Sequence, residues 1–93
     1  MTRSAARLAI QGRVQGVGYR WWAVETARRL GLDGWVRNCR DGSVEILAIG
    51  PDGAISELAQ LCLKGPPHAE VRSVDRSAAT DDGSSDFVQR ETP

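Results

Sequence analysis

The sequence predicts an α+β fold in which two helices cover one face of an antiparallel sheet. Three observations lead there. Extended runs, several of alternating polarity, occur near residues 6–11, 35–39, 43–49 and 69–74; two other stretches carry the three-and-four spacing of amphipathic helices; and the six follow one another as βαββαβ. With 93 residues the chain has room for one core, so residues 1–93 are read as a single domain that folds without disulfide or structural metal.

The first strand is read over Ala6–Gln11, where Ala6, Leu8 and Ile10 alternate with Arg7, Ala9 and Gln11. The following segment, Gly12 to Arg20, holds Gly12, Gly16 and Gly18, too many glycines for the interior of an element, and reads as a shaped loop. Ala23, Val24, Ala27 and Leu30, set against Glu25, Arg28 and Arg29, form the stripe of the first helix, which Gly31 stops. Trp35 and Val36 lead into Arg37-Asn38-Cys39, and Asp41-Gly42 turns the chain into Ser43–Ile49, the second arm of a hairpin. After Gly50-Pro51, Asp52 is the expected N-cap of a second helix, with Ile55, Leu58, Leu61 and Cys62 on its apolar stripe and Gly65-Pro66-Pro67 as its stop. Ala69–Val74 is the fourth strand, 78–86 a polar loop, and Phe87-Val88 the start of a short extra strand. Two helices on one face of such a sheet make a two-layer α/β sandwich of the ferredoxin-like type.

Twelve basic and twelve acidic residues cancel, and a mean hydropathy of -0.34 is ordinary for a water-soluble chain, so neither a nucleic-acid-type basic surface nor a disordered acidic tail is expected. The charge is unevenly placed, however. Residues 1–40 hold eight arginines against Glu25 and Asp33, a balance of +6 that the remainder reverses. Such asymmetry fits an anionic ligand near the first half of the chain, and it equally fits arginines on solvated faces. No stretch approaches the length of a membrane span, the N-terminus lacks the apolar region of a signal peptide, and a cytoplasmic location is expected. Cys39 and Cys62 are read as free thiols in or near the core, His68 as a loop residue, and the three together fall short of a four-ligand zinc site, so no metal or cofactor is expected.

A glycine-rich loop running into a helix N-terminus offers converging N–H groups and the positive end of a helix dipole, an arrangement suited to a phosphate-sized anion, and Arg20 at its end adds a guanidinium fork. The same glycines could simply turn the chain. The loop lacks the Lys-Ser/Thr of the phosphate-binding nucleotide motif, and Trp21 stands where G-x-G-x-x-G needs its last glycine. Asn38 lies just before the hairpin turn, at the end of a strand expected to neighbour the first, where a turn-favouring role is the ordinary one. With one histidine and no nucleophile–base spacing, an enzyme built here would work by positioning and electrostatics.

Gly12-Arg13-Val14-Gln15-Gly16-Val17-Gly18-Tyr19-Arg20 resembles the first signature of the acylphosphatase family, G-x-V-Q-G-V-x-[FY]-R. Gly34 to Glu45 resembles the second, G-W-V-R-N-x-x-D-G-x-V-E, and Gly65-Pro66-Pro67-His68-Ala69-Glu70-Val71 is similar to a G-P-x-x-A-x-V stretch. The resemblance spans roughly residues 5–77. It implies metal-independent hydrolysis of the carboxyl–phosphate anhydride to a carboxylate and phosphate, without a phosphoenzyme. In that reading the backbone amides of Gln15, Gly16, Val17, Gly18, Tyr19 and Arg20 hold the phosphoryl oxygens. Arg20 matches the catalytic arginine and Asn38 the residue that orients the attacking water. The resemblance implies a small acyl phosphate as substrate and inorganic phosphate as product and competitive inhibitor, with no nucleic acid, membrane or cofactor expected to take part. A free-standing monomeric enzyme is expected. The alternative is a noncatalytic acyl-phosphate or anion-binding module on the same fold; an RNA-binding variant would need sheet aromatics that a 5% aromatic content hardly supplies. Tyr19 stands where Phe is commoner, Trp21 and Trp22 are expected to be buried in the core, with shaping of the site by one of them as the alternative, and the C-terminal Phe87-Val88-Gln89-Arg90 lacks the clean alternation of a last strand.

Overall fold

The computed structural model describes residues 3–93, which form β1 (Ser4–Arg13), α1 (Tyr19–Arg29), β2 (Asp33–Asn38), β3 (Val44–Gly50), α2 (Asp52–Cys62), β4 (Glu70–Ala78) and β5 (Phe87–Gln89). The strands make one sheet in the order β4-β1-β3-β2-β5. The first four strands pair antiparallel, as expected; β5 adds to β2 in parallel, setting Phe87 opposite Gly34, so the sheet is mixed. The two-layer ferredoxin-like sandwich stands, with a fifth strand on its edge.

The core follows the alternation. Ala6, Leu8 and Ile10 of β1 and Val44, Ile46 and Ala48 of β3 point to the helical layer, where they meet Tyr19, Ala23 and Ala27 of α1 and Ile55, Leu58 and Cys62 of α2. Ile46 and Leu8 are register partners, so their side chains pack as a cross-strand pair. The opposite face buries a smaller cluster of Trp35, Leu47 and Ile49. Two guanidinium groups flank Trp35, Arg37 at 4.7 Å and Arg90 at 5.6 Å from the ring centre.

Several local expectations change. Pro51, with extended backbone, occupies the N-cap of α2; Asp52 is the first helical residue, and Arg76 donates to its carboxylate at 2.7 Å. Leu61 leaves the apolar stripe and is partly exposed, because the i, i+3, i+7 face of Ile55 and Leu58 continues to Cys62. β4 runs four residues beyond Val74. It is an edge strand with mostly exposed side chains, so its length follows from pairing with β1 rather than from hydrophobic alternation. Among the described residues no helix is long and apolar enough to cross a membrane.

Candidate active site

The loop between β1 and α1 is held at three points. Val14 sits in the core at its entry. Gln15 Nε2 donates to the carbonyl oxygens of Cys39 at 2.8 Å and Ser43 at 2.9 Å, lashing the loop to the β2–β3 turn. Tyr19 at its exit is buried, and its hydroxyl donates to the Cys62 carbonyl at 2.7 Å. Burial and the neighbouring Cys62 raise the Tyr19 phenol far above its usual range, and burial pushes the Cys62 thiol up to about 11, so both stay protonated. Gly65 makes room for the Tyr19 ring: a Cβ there would lie 2.7 Å from Cε2.

Between these anchors Gly16 and Gly18 take left-handed conformations, φ 74 and 80°, and Gly18 is the N-cap of α1. A Cβ at either would meet nothing within 4 Å, so the loop presents bare backbone. Among the described residues, the amides of Gln15 to Arg20 donate to no backbone acceptor; the first bond of this region runs from the Trp22 amide to the Gly18 carbonyl at 3.0 Å. A row of free N–H groups ends at a helix N-terminus.

Asn38 closes β2 opposite Val44. The Cys39 amide donates to the Ser43 carbonyl at 2.9 Å, and the Asp41 carboxylate accepts from the Ser43 amide at 2.9 Å and hydroxyl at 2.6 Å. Those donors hold the Asp41 carboxyl below its usual range. The Asp-Gly turn is thereby fixed against Gln15, and it fixes Asn38 beside the loop. The Asn38 amide makes no hydrogen bond among the described residues.

A hollow of about 160 Å³ lies between these elements, lined by Gly16, Gly18, Tyr19, Arg20, Trp21, Asn38 and Gln89. Of the residues expected at the site, it brings together Gly16, Gly18, Tyr19, Arg20 and Asn38. Gln15 and Val17 stand outside its lining: Gln15 spends its side chain on the turn and Val17 packs against the core. Most of the N-terminal arginine excess is structural. Arg3, Arg7, Arg28 and Arg37 form ion pairs and Arg40 donates to the Pro93 carbonyl, whereas Arg20 has no acidic partner among the described residues. No carboxylate or imidazole lines the hollow, and among the described residues no three His, Cys, Asp or Glu side chains cluster as a metal site would require.

Trp21 departs from the expected core burial and takes the alternative place, beside the site. Tyr19, Ala23, Thr26 and Ala27 define the buried stripe of α1; Trp22 lies near it, edge-on to Tyr19 at 5.3 Å, while Trp21 turns outward, 65% exposed, at the rim of the hollow. Gln89 was not expected at all. It reaches the hollow through the parallel pairing of β5, which opposes it to Val36.

The Gln15 tether is testable. Gln15→Ala removes the donor that two part-buried carbonyls share, each of which keeps a backbone donor, the Gly42 amide on Cys39 and the Cys39 amide on Ser43, so stability should fall by about 0.5–1.5 kcal/mol. Denaturant unfolding of the two proteins measures it; an unchanged midpoint and slope would show the tether to be dispensable.

Residues 6–89 match the acylphosphatase family model. An acylphosphatase from Rhizobium meliloti is 58% identical over 72 residues, 77% of this chain and 76% of its own length. One from Acidiphilium cryptum is 47% identical over 88 residues, 95% and 97% of the two chains. The solved structure of an acylphosphatase from Coxiella burnetii overlays with a TM-score of 0.91 at 34% identity, covering 96% of this chain and 94% of that one.

Proposed function

The chain belongs to the acylphosphatase family, and from that premise we propose that it hydrolyses the carboxyl–phosphate bond of small acyl phosphates, with Arg20 and the amides of Gln15 to Arg20 holding the phosphoryl group and Asn38 orienting the water. One observation carries the assignment of roles: unused backbone amides, an unpaired guanidinium and an unpaired amide side chain meet at one hollow. Its volume suits a phosphoryl group and a water rather than a drug-sized ligand.

The phosphoryl oxygens accept from the loop amides, and Arg20 offers two parallel N–H donors to two of them. Charge that spreads over these oxygens in the transition state meets donors already in place. Water, held by the Asn38 amide, attacks phosphorus as the P–O bond to the carboxyl group breaks and its electron pair leaves with the carboxylate. That leaving group is a weak base, so no general acid is needed. The water's proton passes to the phosphate oxygens, the basic groups nearest to it in a hollow without carboxylate or imidazole. In this reading the enzyme works without metal, as a cytoplasmic monomer of one domain, and all the groups named come from one chain.

Benzoyl phosphate followed with and without EDTA tests the reading: turnover should be the same in both. A folded protein that binds phosphate but leaves the substrate intact would be the noncatalytic module instead. Inorganic phosphate should inhibit competitively, because the loop recognises the anion itself. Purely noncompetitive inhibition would separate the anion hollow from the substrate site.

A further inference from the structure

We infer that the acyl group of the substrate occupies a second hollow, on the side of the loop away from Asn38, where Arg13 favours acyl chains that carry a negative charge; the inference rests on the hydrolytic reading above. This hollow, of about 500 Å³, lies between the end of β1 and the turn before β4 and is lined by Arg13, Gly16, Val17, His68 and Glu70 among others. Gly16 lines both hollows, and since a Cβ there would meet nothing within 4 Å, the ridge between them is bare backbone over which a substrate can lie.

Direction follows from the chemistry. In-line displacement places the attacking water and the leaving oxygen on opposite sides of phosphorus. The water belongs with Asn38, at the end of β2. The sheet order β4-β1-β3-β2-β5 sets that strand on one side of β1, and sets β4 on the other. The leaving carboxyl oxygen therefore points toward β1 and β4, where Arg13 and Glu70 are register partners at the rim of the larger hollow.

The charges there are unequal. In the larger hollow itself Arg13 and Glu70 balance, but Arg72 lines an adjoining hollow with both of them, so the two hollows together hold two guanidinium groups and one carboxylate. Among the described residues neither Arg13 nor Arg72 comes within ion-pair distance of an acidic group, so both remain available to a ligand. An acyl chain whose terminal carboxylate reaches the boundary of the two hollows, where Arg13 stands, meets that positive excess, whereas an uncharged acyl group gains nothing from it.

The experiment measures kcat/KM for succinyl phosphate, which ends in a carboxylate, against benzoyl phosphate, which does not. The ratio of the two constants should fall about threefold to fivefold in Arg13→Gln, the scale of one exposed ion pair, and further in Arg13→Glu. Arg13→Lys keeps the point charge and should hold the ratio within about twofold of the parent. Far-UV circular dichroism confirms that each variant is folded, and the ratio cancels any general loss of active protein. A ratio that is the same in Arg13→Glu as in the parent overturns the inference while leaving the hydrolytic reading in place. Failure of the parent protein to turn over either substrate overturns the hydrolytic reading and this one with it.

Discussion

Arg20→Lys should cost about 10²-fold or more in kcat/KM although the charge is kept. The loss is geometric. A guanidinium lays two parallel N–H bonds along the edge of a phosphoryl group, and its plane keeps both aligned while charge moves between the oxygens; an ammonium is a point charge on a flexible stem and meets one oxygen at a time. Removing a single preorganised donor from a site that stabilises developing charge commonly costs 10²- to 10³-fold, about 3–4 kcal/mol. The setting sharpens this. Arg20 stands in the first turn of α1, where Tyr19 beside it is locked into the core and hydrogen-bonded to Cys62, so the helix cannot shift to bring a shorter-reaching group forward. No other arginine or lysine lines the hollow to replace it. Steady-state kinetics with benzoyl phosphate, beside circular dichroism of the variant, measure the effect. Near-normal kcat/KM in folded Arg20→Lys would remove Arg20 from the chemistry.

What the sequence reveals here is what is local. The alternation of β1 and β3, the helical stripe of Ala23 and Ala27 and the Asp-Gly turn are each settled by neighbours within a few residues, and each is found in the structure near its expected place. β4 and β5 depend on distant partners. β4 continues through Asp75, Arg76 and Ser77 because β1 pairs with it there, and β5 is a three-residue strand whose parallel partner lies some fifty positions earlier in the chain. No periodicity in either segment carries that information. Asp52 failed as a cap for a related reason: Pro51, already extended, takes the N-cap position, and the Asp52 carboxylate goes to Arg76 of β4.

The site divides in the same way. Its loop, its arginine and its asparagine lie in two short runs of sequence, and the tether that joins those runs, from Gln15 to the carbonyls of Cys39 and Ser43, explains why two separate motifs form one hollow. Gln15 was expected to serve through its backbone alone; its side chain has this second task, which only the three-dimensional arrangement reveals. Trp21 could have been found by extending the α1 stripe one turn backward, since Tyr19, Ala23 and Ala27 leave position 21 facing away from the core. Gln89 could not, because its place depends on the register of β5 against β2.

Asn38→Ala should separate chemistry from binding, lowering kcat by about 10²-fold while the affinity for inorganic phosphate changes by less than about threefold. The Asn38 amide is uncharged and stands on β2, so it should contribute little to holding a dianion beside the unused loop amides and the Arg20 guanidinium that line the same hollow. In the proposed mechanism its contribution is to fix one water on the line of attack, which replaces the search of a free water through many orientations. The substitution is structurally mild. Asn38 ends its strand, its side chain bonds to nothing among the described residues, and the turn beyond it is held independently by Asp41, Ser43 and Gln15, so loop and turn should keep their places. Titration calorimetry of phosphate into the folded variant, set beside its kinetics, distinguishes the two roles. If affinity falls in parallel with turnover, Asn38 shapes the anion cradle, and another group in the hollow, with the Gln89 amide the first to examine, must orient the water.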